Sequence, residues 1–300
     1  MMDETTELAI MTKLAEKGLH PKILASFPGG RIEEFVFGRQ LTLDELNDES
    51  LSLATICMKK LAHIHSIKDV PMKKETVLSF PLIRSWLEMF ENHKNSMTFD
   101  DQEDLSFFRD QILTTDFSHE LDWLEKVFLS IPTRTVFSHN DLHVGNLLLL
   151  NSVSSADANN NDQRLNENGV LIMDYEYSGL NVRWGDIAKF LCEMSCSSFD
   201  PELDQVEYKH PEKKRIEQMI SVYIEEWKIL NLEIFDSNLD SVEYIHNEVS
   251  YGSLCVHLLT VIFFLAFVKK NFDKLHNWKY IRMRLNSYFE MKREFLKHTA

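Results

Sequence analysis

The sequence predicts an α+β protein, with a small strand-bearing part at the N-terminus and a large, mainly helical part after it. Three observations predict this. Residues 5–17 read as an amphipathic helix that leads into a strand–turn–strand unit, 23–27 and 31–37 around Pro28-Gly29-Gly30. Two apolar runs, Thr135-Val136-Phe137 and residues 170–173, each lead as strands into a polar loop. Three long helical patterns, about 212–229, 240–269 and 276–296, finish the chain. Short strand units followed by runs of helices are the pattern of an α+β architecture.

The elements follow in order. Residues 5–17 carry Leu8, Met11, Leu14 and Ala15 on one face and stop at Gly18. Thr42, with Glu45 three residues on, has the form of a capping box for a short turn. Leu53, Ile56, Cys57, Lys60, Leu61 and Ile64 mark the next helix, with His63 and His65 near its end. No second ligand stands three or four residues from His65, so packing or hydrogen bonding is expected of it rather than metal binding. Residues 80–90 and 121–129 read as amphipathic helices and 91–104 as a polar loop or helix edge, with Trp86 and Trp123 expected in the core. The Asn-, Ser- and Asp-rich stretch 151–168 reads as a flexible surface insertion between two strands. Asp186 fits an N-cap, followed by a buried stripe of Ile187, Phe190, Leu191 and Met194.

Composition bounds the function. The 300 residues suffice for one large domain or two ordinary ones, and 44% hydrophobic content supports a sizeable core. A formal net charge of −15 argues against nucleic acid or an anionic membrane surface as the main partner. Any phosphate site must therefore bring its own local positive charge or metal. Cys57, Cys192, Cys196 and Cys255 show neither a disulfide framework nor zinc-ligand spacing, so a reduced, cytoplasmic location is expected. The acidic start Met1-Met2-Asp3-Glu4 does not read as a signal peptide. The apolar run 254–268 is shorter than the roughly 17–25 residues of a membrane span and contains His257, so a buried helix and no membrane span are expected.

The chemistry concentrates in two stretches. Ser138-His139-Asn140-Asp141-Leu142-His143-Val144-Gly145-Asn146 follows one strand, and Asp174-Tyr175-Glu176 follows the other. Two carboxylates and an amide at strand ends can converge on Mg²⁺, which prefers oxygen ligands and keeps some of its waters. The H-x-D-x-x-x-x-N spacing of His139, Asp141 and Asn146 is that of the protein-kinase catalytic loop, and Asp174 stands where the metal-binding Asp of D-F-G would. Asp and Asn also cap turns, but here two separated motifs agree in order and context.

The flanks narrow the reading. His139-Asn140-Asp141 with Gly145-Asn146, then Asp174-Tyr175-Glu176-Tyr177-Ser178, then Asn181-Val182-Arg183 with Asp186-Ile187-Ala188 resemble the choline/ethanolamine kinase family. More distantly they resemble the aminoglycoside phosphotransferases. The block from Glu7 through Gly18-Leu19-His20-Pro21-Lys22 to Gly30-Arg31-Ile32-Glu33-Glu34-Phe35 carries the same resemblance to the choline/ethanolamine kinases.

The resemblance implies a protein-kinase-like fold with a truncated N-terminal lobe and a large, mainly helical C-terminal lobe. Residues 1–40 would be the remnant of the nucleotide-binding lobe and the hinge, and 41–300 the large lobe. It implies phosphoryl transfer from ATP, with Mg²⁺, to the hydroxyl of choline or ethanolamine, feeding phosphatidylcholine and phosphatidylethanolamine synthesis. Asp141 would orient the acceptor hydroxyl, with His139 and His143 beside it, and Asn146 and Asp174 would hold the metal. Glu7, Glu34 and Phe35 would serve the nucleotide, and Glu176, Tyr280 and Tyr288 the acceptor. Arg183 and Asp186 would brace the catalytic loop. Read alone, Glu7 is equally a solvated helix acid.

Departures from the family pattern carry weight too. A kinase small lobe begins with a glycine-rich hairpin and a strand bearing Lys or Arg. Here six residues precede Glu7, Lys13, Lys17 and Lys22 lie on or after the helix, and no G-x-G-x-x-G occurs among nine glycines. Either the chain is an incomplete or alternatively started product, or it has diverged and acts as a binding or regulatory partner of a full-length kinase. The family often dimerises, so a homo- or heterodimer is in view. His143 stands where the family has Gln, and Leu180 and Val182 where it has tyrosines; His257 and Thr260 align near two tryptophans. A cage so poor in aromatic walls favours a primary ammonium, which hydrogen-bonds, over trimethylammonium, which cannot.

Overall fold

The computed structural model describes residues 4–68, 70, 80–99, 101–150, 169–196, 208–209, 211–267 and 276–299, so the insertion 151–168 lies outside the described residues. In chain order the elements are α1 (Glu4–Glu16), β1 (Ile23–Phe27), β2 (Gly30–Glu33), β3 (Gly38–Gln40), α2 (Leu43–Leu46), α3 (Ser52–His65), α4 (Phe80–His93), α5 (Gln102–Phe107), α6 (Phe117–Ser130) and β4 (Thr135–Ser138). There follow β5 (Leu147–Leu150), β6 (Val170–Ile172), β7 (Gly179–Val182), α7 (Arg183–Met194), α8 (Lys213–Leu230), α9 (Val242–Phe267) and α10 (His276–Thr299). Two compact units result: residues 1–77, 134–194 and 211–247 in the first, and 78–133, 195–210 and 248–300 in the second.

In the first unit α1 buries Ile10, Met11 and Leu14. It is followed by Gly18 at φ +67°, the left-handed conformation that glycine adopts without a Cβ penalty. β1 and β2 pair antiparallel, with Phe27 opposite Gly30. The sequence predicts a strand as far as residue 37, yet β2 stops at Glu33. The Glu34 N–H still reaches the Lys22 carbonyl at 2.8 Å, but the Lys22 N–H faces the Glu34 side-chain Oε2, at 3.5 Å. The chain re-enters a sheet as β3, in the antiparallel order β3-β5-β6. β4 and β7 form a separate antiparallel pair that brings Ser138 opposite Gly179. Thr42 and Glu45 make the predicted capping box at α2. α3 packs on α8 and buries Cys57, Leu61 and Ile64.

The second unit is helical among the described residues. Phe90 of α4 meets Phe108 and Phe117 edge-on, and Trp278 of α10 packs against Phe99, Phe107 and Phe108. Trp86 packs on Phe263 and Phe267, and Trp123 on Phe295. The polar run 91–104 is more ordered than predicted. It opens α5 behind an Asp101 cap that accepts from the Glu103 N–H at 2.7 Å. The apolar run predicted to be too short for a bilayer belongs to the 26-residue α9, which is long and apolar enough to cross one. Most of that stretch is buried within the protein, so packing accounts for its composition where length does not.

Candidate active site

β4 ends at Ser138 and the chain turns at once. Asn140 takes φ +68°, and Asp174, just beyond β6, takes φ +67°. Asn and Asp tolerate this left-handed region better than other residues with a side chain. Asn140 is also tied at both ends of its amide: Nδ2 donates to the Tyr177 carbonyl at 2.8 Å, and Oδ1 accepts from Asn181 at 2.7 Å.

Asp186 holds the loop. Its fully buried carboxylate accepts from the backbone N–H groups of His139 and Asn140, both at 2.7 Å. The N-cap reading is thereby corrected. α7 begins at Arg183, whose N–H is spent on the Arg134 carbonyl, so Asp186 sits inside the first turn and serves the loop rather than the helix end. Burial opposes its charge, yet the His65 hydrogen bond and the donors from the loop hold its carboxyl below the usual range. His65 donates to it from Nε2 at 3.2 Å and accepts from the Tyr223 hydroxyl at Nδ1, 2.9 Å away. Arg183 is also buried, with Nη1 2.5 Å from Asp240.

His139 joins the two loops. It is fully buried; Nε2–H donates to the Met173 carbonyl at 2.8 Å, and Nδ1 accepts from the Asp141 N–H at 3.2 Å. Those partners fix one neutral tautomer, and burial lowers the imidazole pKa despite nearby carboxylates. The Tyr175 ring lies 4.7 Å from His139 and 5.9 Å from His20.

Asn146 is bound in a similar way. Its Nδ2 donates to the Asp141 carbonyl at 2.9 Å, and its own carbonyl accepts from the Met173 N–H at 2.9 Å. The second bond carries the β5–β6 ladder one step past Leu147 and Ile172, which sets Asn146 across from Met173, next in sequence to Asp174. Among the described residues no hydrogen bond reaches the Asn146 Oδ1, and Asp174 is exposed. An amide oxygen and a carboxylate at adjoining positions suit Mg²⁺. No three His, Cys, Asp or Glu side chains cluster among the described residues, so such an ion would draw its other ligands from phosphate oxygens and water.

Asp141 is half-buried, with Oδ2 3.5 Å from His143 Nε2. The other ring nitrogen of His143 accepts from the Gly145 N–H at 3.0 Å, so Nε2 carries the proton that faces Asp141. Burial works against the charge on Asp141. The His143 contact and the charge of Lys189 outweigh it and keep the carboxyl below its ordinary value. Position 145 must be small, because a Cβ there would stand 2.6 Å from His143 Cε1.

Asp141, His139, His143, Asn146, Asp174 and Asp186 thus share one set of interlocked loops. The other predicted residues are placed as follows. Glu7 pairs at 2.9 Å with Arg31, which also binds Glu33 at 2.5 Å. A search among neighbouring lysines misses this cation, because the hairpin brings it from 24 residues away. Glu34 accepts from the Lys22 N–H at 3.5 Å, and Phe35 is 76% exposed, edge-on to Phe37. Glu176 is half-buried. Tyr280 and Tyr288 belong to the second unit, where both are buried: the Tyr280 hydroxyl accepts from Arg284 at 2.5 Å, and the Tyr288 hydroxyl donates to Glu120. Residues whose importance the sequence did not disclose are Lys189, Asn181 and Tyr175.

Residues 1–289 match the family model for choline/ethanolamine kinase. The chain belongs to the choline/ethanolamine kinase family. Choline kinase alpha of Mus musculus is 27% identical over 298 residues, covering 96% of this chain and 61% of the mouse protein. Ethanolamine kinase of Drosophila melanogaster is 25% identical over 312 residues, covering 100% of this chain and 53% of the fly protein. The chain therefore spans between half and two thirds of the length of these relatives. The solved choline kinase of Cryptosporidium parvum aligns with a TM-score of 0.70 at 23% identity, over 99% of this chain and 80% of that one. The family fold is thus kinase-like and α+β, with a mainly helical C-terminal part.

Proposed function

We propose that the chain is an ATP-dependent phosphotransferase acting on the hydroxyl of choline or ethanolamine. The observation that carries this reading is the mutual locking of Asp141, Asn146 and the Met173–Asp174 step through His139 and backbone bonds. In this reading Asp141 accepts a hydrogen bond from the acceptor hydroxyl and aligns its oxygen on the γ-phosphorus. The new O–P bond forms as the bond to the β–γ bridging oxygen breaks; ADP leaves, and the hydroxyl proton passes by way of Asp141 to solvent. A loose transition state asks little basicity of the carboxylate, which suits its lowered pKa. Asn146 and Asp174 would hold Mg²⁺, whose charge offsets that of the β- and γ-phosphate oxygens. His139 and Asp186 keep the loop in shape. Glu7, Glu34 and Phe35 are assigned to the nucleotide side, and Glu176 to the acceptor ammonium. The product would feed phosphatidylcholine or phosphatidylethanolamine synthesis in the cytoplasm.

A second reading has an observation in its favour. Leu24, Phe27, Ile32, Phe35 and Phe37 are 52–76% exposed along one hairpin and its exit, which suits a binding or regulatory partner of a full-length kinase, in a homo- or heterodimer. Transfer of label from ATP–Mg²⁺ to ethanolamine and to choline, with Asp141→Ala alongside, separates the two. Transfer that vanishes in the variant is expected. Folded wild-type chain that transfers to neither amine would leave the partner reading.

A further inference from the structure

The two histidines that flank Asp141 are bridled alike. Nδ1 of His139 accepts the Asp141 N–H, two residues on, at 3.2 Å, and Nδ1 of His143 accepts the Gly145 N–H, two residues on, at 3.0 Å. Each ring therefore carries its proton on Nε2. His139 spends that proton inside the fold, on the Met173 carbonyl at 2.8 Å. His143 turns its own toward Asp141, with Nε2 3.5 Å from Oδ2 and the two side chains 36% and 31% exposed. That contact is open to an incoming molecule, as the buried His139 bond is not. Glycine at 145 lets the backbone close on the ring, because a Cβ there would stand 2.8 Å from Nδ1. In this tautomer neither nitrogen of His143 is free to take up a proton as a base.

Resting on the phosphotransferase reading above, we propose that His143 is a positioning residue for Asp141. It donates from Nε2 to Oδ2, sets the rotation of the carboxylate, and leaves Oδ1 for the acceptor hydroxyl. At 3.5 Å the bond is long, and contacts of this kind tighten in the reactive complex. Burial works against the charge on Asp141, and the His143 donor is foremost among the influences that outweigh it. A turn cap alone would account for Nδ1, which receives the Gly145 N–H. It would not account for the aim of Nε2.

The test separates the two ring nitrogens. His143→Asn keeps an acceptor at the place of Nδ1 for the Gly145 N–H but stops short of Asp141. His143→Gln keeps an N–H donor with the reach of Nε2. Thermal melting shows that each variant folds. In transfer from ATP–Mg²⁺ to ethanolamine and to choline by the full chain, His143→Asn should lower kcat roughly tenfold, one hydrogen bond's worth, with KM for the amine little moved. His143→Gln should recover most of that loss. Equal loss in both variants, or loss in neither, overturns the inference. Imidazole ¹⁵N NMR of the folded chain reads the same contact without transfer, the His143 signals being those missing from His143→Gln. A protonated Nε2 whose signal moves in Asp141→Ala is expected. A ring protonated on Nδ1, or an Nε2 that ignores Asp141→Ala, overturns the inference even where phosphate is transferred. If the wild-type chain transfers to neither amine while Nε2 responds to Asp141, the phosphotransferase reading fails and the hold of His143 on the carboxylate stands.

Discussion

Replacing Asp186 tests whether one buried carboxylate sets the shape of the catalytic loop. Two backbone N–H groups reach it at 2.7 Å and the His65 Nε2–H at 3.2 Å, in full burial. A buried donor left without a partner costs roughly 1–3 kcal/mol. Two full losses and a weaker third put Asp186→Ala at about 3–5 kcal/mol, the range for breaking a buried charged network. That is a large share of the ~5–15 kcal/mol that holds a domain together. Asp186→Asn keeps one acceptor oxygen but turns an NH₂ toward an N–H donor, so about half the loss is expected. Urea unfolding should show a lower midpoint at unchanged slope. Amide hydrogen exchange should speed up selectively at His139 and Asn140. An alanine variant that loses less than about 1 kcal/mol, with both amides still protected, would refute the reasoning. The loop would then be held by its backbone and by His139.

Two further outcomes follow from the same geometry. Burial lowers the pKa of His20, His65 and His139 below the ordinary 6.5, so each takes up a proton on unfolding that the fold refuses. Their contribution is full above that ordinary value and is lost as pH falls below it toward the lowered folded values, at up to ~1.4 kcal/mol per pH unit for each histidine. The denaturation midpoint should therefore drop between about pH 7 and pH 5, and an unchanged midpoint would exclude neutral burial of all three. Asn140→Ala loses both amide bonds and keeps the left-handed strain, whereas Asn140→Gly loses only the bonds. Glycine should therefore melt higher than alanine, and the reverse order would remove strain from the account.

How much of this was legible in the sequence depended on the range of the interaction. The capping box at Thr42 and Glu45, the α1 core face and the apolar stripe of α7 are local, and periodicity reads them. The Asp141 and Asp174 motifs were legible because the chemistry demands fixed spacing within each. Local pattern reads Asp186 as a helix cap because an Asp near a helix start fits two jobs; the bracing role came only from the family resemblance, and the tertiary fold adds the two loop N–H groups that point at it. The end of β2 was missed because apolar residues run on to 37, while at Lys22 the backbone N–H faces the Glu34 side chain. Arg31 as the partner of Glu7, and the charge of Lys189 acting on Asp141, arise at separations that no local pattern encodes.

These contacts divide the first unit by the kind of support each part receives. The loops bearing Asp141, Asn146 and Asp174 grow from strand ends whose register is set by antiparallel pairing, β4 with β7, and β5 between β3 and β6. Their polar groups are cross-bonded through buried His139 and Asp186. The hairpin with Arg31, and the exit with Glu34 and Phe35, rests on a two-stranded ribbon, an element of marginal stability on its own. The Glu7–Arg31 pair that ties it to α1 is partly exposed, the class worth less than about 1 kcal/mol. Opening free energy should therefore be low along residues 23–37 and near the global value at residues 138–146. Under the catalytic reading, removing Asp141 abolishes transfer without loosening the fold, because among the described residues the polar partner of its carboxylate is His143, at a long 3.5 Å. Removing Asp186 loosens the loop and costs transfer through it. That split between a residue that acts and a residue that positions is what the two networks impose.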